Sequence, residues 1–264
     1  MKIGWFSCGI TSAVACKLAL ENYTDVELYY IAIASAHPDN ERFIADCEKW
    51  YGQRINIVTN SKGFNDQFEV IEKTRYVNGS DGARCTLELK KEPRYELHEK
   101  LQPTNHIWGM EFEKKEVNRA IRFRQQHPST NSLFPLIDAK LSKNECAGIL
   151  QAVGIELPVM YKLGYSNNNC IGCVKGGMFY WNKIRKDFPE HFERMAKVER
   201  LIGATCLKEP EGRIYLDELD PMRGNPDEPV QGECGLFCQV EFAHIMHKRI
   251  DEVLSGELAI SDLY

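Results

Sequence analysis

Met1-Lys2-Ile3-Gly4-Trp5-Phe6-Ser7-Cys8-Gly9-Ile10-Thr11-Ser12 runs without a break into Ala13-Val14-Ala15-Cys16-Lys17-Leu18-Ala19-Leu20. The apolar run at residues 3–6 ends in small residues and gives way to a helix-forming stretch, which predicts a buried strand turning sharply into a helix. At such a turn the first helical N–H groups have no carbonyl behind them and the helix dipole favours negative charge, so a phosphate fits there. Ser7, Gly9, Thr11 and Ser12 add hydroxyls and an unobstructed backbone. The absence of a Gly-Lys-Ser/Thr sequence excludes a Walker A loop.

Outward from this turn, residues 26–35 read as a second strand buried on both faces. The strand ends at Ala36-His37-Pro38-Asp39-Asn40, a turn that caps a helix over residues 41–51. A third strand at residues 54–59 completes a β-α-β-α-β run, the pattern of a parallel sheet with right-handed crossovers. Asn78-Gly79-Ser80-Asp81-Gly82 reads as a loop long enough to act as a mobile lid. His106-Ile107-Trp108-Gly109-Met110 reads as a fourth strand leading to a charged helix over residues 114–126. Residues 133–138 read as a short strand, followed by a helix over residues 142–153 with a capping box at Ser142 and Glu145. The fold class is therefore α/β: a Rossmann-like parallel sheet flanked by helices over residues 1–165, then a mainly helical, cysteine-containing region over residues 166–264.

With 264 residues, 43% of them hydrophobic, the chain is long enough to bury a full core. No apolar run approaches the ~20 residues of a membrane span, and the N-terminus lacks a signal-peptide pattern, so a cytoplasmic protein without membrane contact is expected. A net charge of −5 argues against autonomous binding to a nucleic-acid backbone. A nucleic-acid substrate would have to be presented by a partner or held in a local basic groove.

Ten cysteines in such a chain point to metal, catalysis or sulfur handling before disulfides. Cys16, Cys47, Cys146 and Cys206 lie in helical patterns and read as small core residues. Cys170-Ile171-Gly172-Cys173 lets two thiolates reach one metal or lets one attack the other's disulfide. Glu233-Cys234-Gly235-Leu236-Phe237-Cys238 supplies two further thiols, so a zinc site of Cys170, Cys173, Cys234 and Cys238 is one assignment. Metal-free thiols are another. His244 and His247 read as helix surface or packing residues. Cys85, beside Arg84 and followed by Lys90 and Lys91, sits in a field that would stabilise a thiolate or an anionic ligand.

Ser-x-Gly-x-x-Ser at Ser7, Gly9 and Ser12 after an N-terminal strand resembles the pyrophosphate loop of the ATP pyrophosphatases. That superfamily, of adenine nucleotide alpha hydrolase-like fold, includes sulfonucleotide reductases, tRNA thiolases and the sulfur-activating enzymes of DNA phosphorothioation. Cys8 stands where the family usually has Gly. The likeness spans roughly residues 3–185. It implies that Ser7, Cys8, Gly9, Ile10, Thr11 and Ser12 hold the β- and γ-phosphates of ATP with Mg²⁺. It implies that Ala34 and Ser35 meet the adenine through their backbone, with His37 and Asp39 nearby, and that Arg119 and Arg122 are phosphate ligands. The alternatives are a plain helix cap by Asp39 or Asn40 and a solvated charged face for the arginines.

In iron–sulfur members an early cysteine joins the late pair, which implies a 4Fe–4S cluster on Cys85, Cys170, Cys173 and one of Cys234 or Cys238. Glu233-Cys234-Gly235-Leu236 resembles the nucleophile motif of the reductases, with Phe237 where that motif has histidine. The loop and the Cys-Ile-Gly-Cys-Val-Lys-Gly-Gly stretch together resemble the reductase-like enzymes of DNA phosphorothioation. The expected activity is adenylylation of an acceptor oxygen, with Ser7, Ser12 and Cys234 as the catalytic residues. The expected partners are a cysteine desulfurase as sulfur donor and DNA-modification subunits that present DNA, in an antiphage setting; a homodimer is compatible. The alternatives are a sulfonucleotide reductase using Cys234 and a non-catalytic nucleotide-binding subunit. Arg185 and Lys186 face either the active site or solvent.

Overall fold

A computed structural model of the chain describes residues 1–79, 82–209, 212–227, 230, 252–256 and 259. The chain opens with β1 (Lys2–Trp5), α1 (Ile10–Asn22), β2 (Val26–Ile31), α2 (Asn40–Tyr51), β3 (Ile55–Val58) and α3 (Gln67–Thr74). The flanks of the expected lid pair as a short hairpin, β4 (Asn78–Gly79) with β5 (Gly82–Ala83). One continuous rod follows, made of α4 (Arg84–Thr86), a π-helical turn at Leu87–Lys91, and α5 (Glu92–Leu101). Next come β6 (Asn105–Ile107), α6 (Lys114–Gln126), α7 (Pro135–Asp138), α8 (Lys143–Ala152) and α9 (Val159–Lys162). The last elements are α10 (Met178–Asp187), α11 (Pro189–Ile202) and the hairpin of β7 (Leu207–Glu209) with β8 (Gly212–Ile214).

The main sheet has the order β3-β2-β1-β6 and is parallel throughout, which is the expected Rossmann-like α/β architecture. The chain steps from β1 outward to β2 and β3, then returns to pair β6 on the other side of β1. Open parallel sheets bind ligands beyond the carboxyl ends of the strands where their order reverses. Here those ends are the turns after Trp5 and Ile107.

Strand periodicity sends alternate residues of β1 to opposite faces. Ile3 and Trp5 enter a core with Tyr29, Trp108, Val117 and Ile121. On the other face Phe6, Val14, Leu28, Phe43 and Leu150 join α1, α2 and α8. A third core collects Phe68 and Ile71 of α3, Met160, Trp181, Met195 and Leu216, and so draws on both sides of residue 165. Among the described residues no helix is long and apolar enough to cross a membrane.

Two local expectations change. Residues 133–138 do not form a strand: Leu133 makes an isolated bridge to Ile107, and Pro135 at once starts the helical turn α7. Proline has no N–H for a ladder and a φ suited to a helix start, so the apolar run turns helical. Asp39 does not cap α2 with its side chain. Its carboxylate binds Arg42 at 2.7 and 2.8 Å and the Val159 N–H at 2.9 Å, which ties α2 to the start of α9. The capping box at Ser142 and Glu145 is present as expected.

Cys16, Cys47, Cys146 and Cys206 are all buried. Burial pushes the thiols of Cys47 and Cys146 up to about 12, so they serve as packing and not as nucleophiles.

β6 carries His106 into the interior, where Trp5 Nε1–H donates to its Nδ1 at 2.9 Å and its Nε2 lies 2.8 Å from His98 Nδ1. The Trp5 bond leaves the proton on Nε2, which donates to His98. Burial, then the neighbouring His98 and Arg94, hold His106 down at about 4. The unfolded imidazole titrates near pH 6.5. The stability from neutral His106 is therefore present above about pH 6.5 and lost as pH falls through about 4. His106→Gln is expected to flatten this part of the pH–stability profile, compared with the parent by urea denaturation. The same slope in both proteins would show that another group carries the acid sensitivity.

Candidate functional site

The turn after β1 is held by one hydroxyl. Ser12 Oγ donates to Gly9 O at 2.9 Å and accepts from both Ser7 N and Ser7 Oγ at 3.0 Å. Ser12 is only 3% exposed, so it is the knot that closes the loop. Cys8 occupies the left-handed region at φ 57°, where glycine is the ordinary choice. Its side chain is buried, and burial pushes its thiol well up, so its sulfur is no ligand for a bound anion. Its carbonyl accepts from Asn168 Nδ2 at 2.7 Å, and that amide also donates to Asn40. Ile10 N–H donates to Tyr161 Oη at 3.3 Å. Segments far apart in sequence thus fix the loop from outside.

Gly109, just past β6, lies against the loop. A Cβ there would stand 2.6 Å from Ser12 Cα and 2.7 Å from Ser12 N, distances no side chain can occupy. Only glycine lets the turn after β6 close over the start of α1.

The loop opens on a cleft of about 520 Å³. Ser7, Thr11 and Ser12 line it, and so do Arg119 and Arg122 of α6. Among the described residues the Nε atoms of both arginines are buried without a hydrogen-bond partner, while Arg119 Nη1 reaches Glu116 at 3.1 Å. Buried donors of this kind call for an acceptor, and guanidinium forks match phosphate oxygens. Lys90, read from the sequence as part of the field around Cys85, lines the same walls, and so do Arg94, Lys115 and Lys143, which sequence reasoning missed. Against these cations stand Glu111, Glu113 and Glu116, so the cleft favours an anion even though the whole chain is acidic.

Lys143 Nζ reaches Ser166 O and, at 3.0 Å, Asn167 Oδ1, and lies 5.2 Å from the Tyr161 ring centre. Burial lowers its ammonium below the usual lysine range and raises the Glu111 carboxyl that accepts its backbone N–H. The signal for Lys143 was concealed, since it directly follows the cap residue Ser142 and reads as ordinary helix surface.

Ala34 and Ser35 are not brought into the cleft lining, contrary to the expected adenine contact. The Ala34 N–H donates to Asn65 O, and Ser35 O accepts from Ile171 N, so the backbone after β2 is engaged elsewhere. Tyr30, Ile31, Ile33 and Ala36 line the cleft instead. His37 packs on Phe188, and its Nδ1 accepts from the Asp39 N–H. Arg185 does not face the cleft: it binds Leu216 O and Leu219 O and stacks on Phe192. Lys186 is exposed.

Cys85, Cys170 and Cys173 line one small cavity. The Cys-x-x-Cys turn is fixed by Gln67 Nε2, which donates to Ile171 O at 2.8 Å, and by Tyr180 Oη, which accepts from Cys173 N. Cys170, Thr86 and Lys90 line this cavity and the main cleft alike, so a thiol stands on the wall between them. Cys206 lies within electrostatic reach of Cys173 and Cys85. Among the described residues no three His, Cys, Asp or Glu side chains converge tightly enough to hold a metal ion. Cys234 and Cys238, expected ligands, and Cys234 as nucleophile, lie outside the described residues, as do His244 and His247.

The family model for the phosphoadenosine phosphosulfate reductase domain matches residues 3–177. Among solved structures, the phosphoadenylyl-sulfate (PAPS) reductase from Candida auris, a phosphate complex, is 15% identical with a TM-score of 0.46; the match covers 62% of this chain and 78% of that one. The U34-tRNA thiolase from Methanococcus maripaludis, solved with its 4Fe–4S cluster, is 13% identical with a TM-score of 0.35, covering 77% of this chain and 72% of that one. No curated protein matches the chain in sequence.

Proposed function

We propose, for a chain that belongs to the phosphoadenosine phosphosulfate reductase domain family, that the cleft binds ATP and cleaves it between the α- and β-phosphates to activate an acceptor oxygen for replacement by sulfur. The observation that carries this reading is the Ser7–Ser12 knot at the start of α1, facing the unpartnered Nε atoms of Arg119 and Arg122 across one cleft.

The helix N-terminus and the arginines stabilise charge that builds on the departing pyrophosphate. The acceptor oxygen bonds to the α-phosphorus as the bond to the β-phosphate oxygen breaks. Mg²⁺, which binds through one or two carboxylates plus substrate phosphates, suits Glu113 and Glu116 on the cleft wall and would neutralise charge on the leaving group. A persulfide sulfur then displaces AMP, which departs with the acceptor oxygen, and a second thiolate cleaves the sulfur–sulfur bond. In this proposal the acceptor is DNA presented by partner subunits, and a cysteine desulfurase supplies the persulfide.

Cys85, Cys170 and Cys173 on one cavity support a 4Fe–4S cluster, with the fourth ligand from Cys234 or Cys238. Zinc on Cys170, Cys173, Cys234 and Cys238 is the competing occupant. Cys173→Ser is expected to lower iron and acid-labile sulfide in anaerobically purified protein by at least about half, the consequence of losing one thiolate of four. Unchanged iron would remove this cavity from the assignment.

Pyrophosphate and orthophosphate released from ATP, with and without DNA, test the main reading. Ser12→Ala is expected to slow pyrophosphate release by at least about tenfold, because the loop that presents its N–H groups loses its knot. Turnover that survives intact would remove the loop from the mechanism. The family match also favours a second reading, a sulfonucleotide reductase with the Cys234 thiol as nucleophile; sulfite release without pyrophosphate would establish it.

A further inference from the structure

Asn168 reaches the phosphate loop from 160 residues away in sequence and carries one polar atom that the fold leaves unused. Both protons of its Nδ2 are spent, one on Cys8 O at 2.7 Å and one on Asn40 Oδ1 at 2.8 Å. Its backbone N–H bonds to the Tyr161 hydroxyl. Its Oδ1 is buried and has no hydrogen-bond partner among the described residues. Buried side-chain acceptors are nearly always paired, so an orphan on the wall of a cleft calls for a donor from a ligand.

The orientation of this amide is determined by its neighbours. Turning it over would set Oδ1 against the Cys8 carbonyl, which has no proton to give. Asn40 is fixed in the same way, because its Nδ2 donates to Tyr30 Oη at 3.1 Å and its Oδ1 is left facing Asn168. The Tyr30 hydroxyl in turn bonds to the Cys8 thiol. A circuit through Cys8, Asn168, Asn40 and Tyr30 thus closes on itself and leaves Asn168 Oδ1 outside it. Asn40 and Tyr30 are both buried, so the circuit holds the oxygen in place.

The position of the circuit names the group that this oxygen meets. At one end stands Cys8 of the phosphate loop. At the other stands the wall after β2, where Tyr30, Ile31, Ile33 and Ala36 offer the cleft an apolar surface suited to a base. In any nucleotide the sugar lies between phosphates and base. Ribose hydroxyls can donate to a fixed acceptor, whereas an ionised phosphate oxygen has no proton to offer.

We infer that Asn168 Oδ1 accepts a hydrogen bond from a ribose hydroxyl of the nucleotide in the cleft, and so makes the site prefer ribonucleotides to their deoxy analogues. The inference rests on the reading of the cleft as an ATP site and adds the group that reads the sugar.

Calorimetric titration of the full chain with ATP, 2′-deoxy-ATP and 3′-deoxy-ATP, without an acceptor, tests it. The parent is expected to bind one of the two deoxy nucleotides at least about tenfold more weakly than ATP, the scale of leaving a buried acceptor unpaired. In Asn168→Ala the loop loses its tie at Cys8 O and all three affinities fall, but the preference for ATP over that deoxy nucleotide is expected to shrink to within about twofold. A merely structural role would lower the affinities and keep the preference. The parent's preference needs no variant, so it tests the inference even if thermal melts show Asn168→Ala unfolded. Equal binding of the three nucleotides by the parent, or a preference that survives in Asn168→Ala, would overturn the inference. Pyrophosphate release separates it from the proposed activity. A sugar preference that depends on Asn168, in a protein that releases no pyrophosphate, supports the inference and removes the activity; pyrophosphate released equally from all three nucleotides removes the inference alone. A cleft that binds no ATP overturns both.

Discussion

Gly109→Ala is expected to lower nucleotide turnover in the cleft by about a hundredfold, the scale on which ångström misplacements of reacting groups cost rate. The added carbon would stand 2.6 Å from Ser12 Cα and 2.7 Å from Ser12 N, and both obstacles are backbone, so no rotamer relieves the contact. Either the turn after β6 retreats or the start of α1 shifts. A shift of α1 undoes the bonds from Ser7 to Ser12 and moves the helix N-terminus. Steady-state turnover, read beside circular dichroism to confirm folding, measures the effect. Turnover within about threefold of the parent would show that α1 is not the anchor of the bound phosphates.

Glu199→Ala is expected to cost about 3 kcal/mol of folding stability, because it strands two buried N–H groups at roughly 1–3 kcal/mol each. Glu199 is 0% exposed on α11, and its carboxyl accepts from Cys206 N at 2.5 Å and Leu216 N at 2.7 Å. It fastens the segment before β7 to the third core and, with it, holds Cys206 near Cys173 and Cys85. For a chain of this size the loss corresponds to a fall in Tm of about 6–12 °C. A cost under about 1 kcal/mol in urea denaturation would mean that water or another acceptor replaces the carboxyl.

Burial raises the Glu199 carboxyl, with the two backbone N–H groups pulling it partly back. Its contribution is therefore complete below the ordinary carboxylate range and lost as pH rises through its raised value. This runs opposite to His106, which is why the His106 test compares parent with variant instead of reading one profile.

The β-α-β core was legible because its signals are local. α6 falls at Lys114–Gln126, the span its charge pattern marks, and the capping box sits where Ser142 and Glu145 stand three apart. Residues 133–138 misled because a short apolar run has no decisive period, and Pro135 tips it toward a helix start. In the site, Ser7, Thr11, Ser12, Arg119 and Arg122 could be read from one turn and one helix. Lys143 and Asn168 could not, since their approach to the loop depends on packing between segments distant in sequence. Ala34 and Ser35 fall between Ile33 and Ala36, which do line the cleft, and their placement turns on long-range bonds, from the Ala34 N–H to Asn65 and from Ile171 to the Ser35 carbonyl, that no local pattern announces. Gly109 had only a faint mark, a glycine just beyond an apolar strand.

The π-helical turn at Leu87–Lys91 acts as a phase shift in the rod that runs from Arg84 to Leu101. Its wider winding holds one residue more than an α-helical turn would. Each residue of an α-helix advances the side chains by about 100° around the axis. Were the same residues wound as an α-helix throughout, Cys85 and Thr86 would turn by about that angle relative to Arg94, swinging the thiol off the small cavity while the arginine stayed on the cleft wall. A single irregular winding thus sets the clock position of both chambers along one rod.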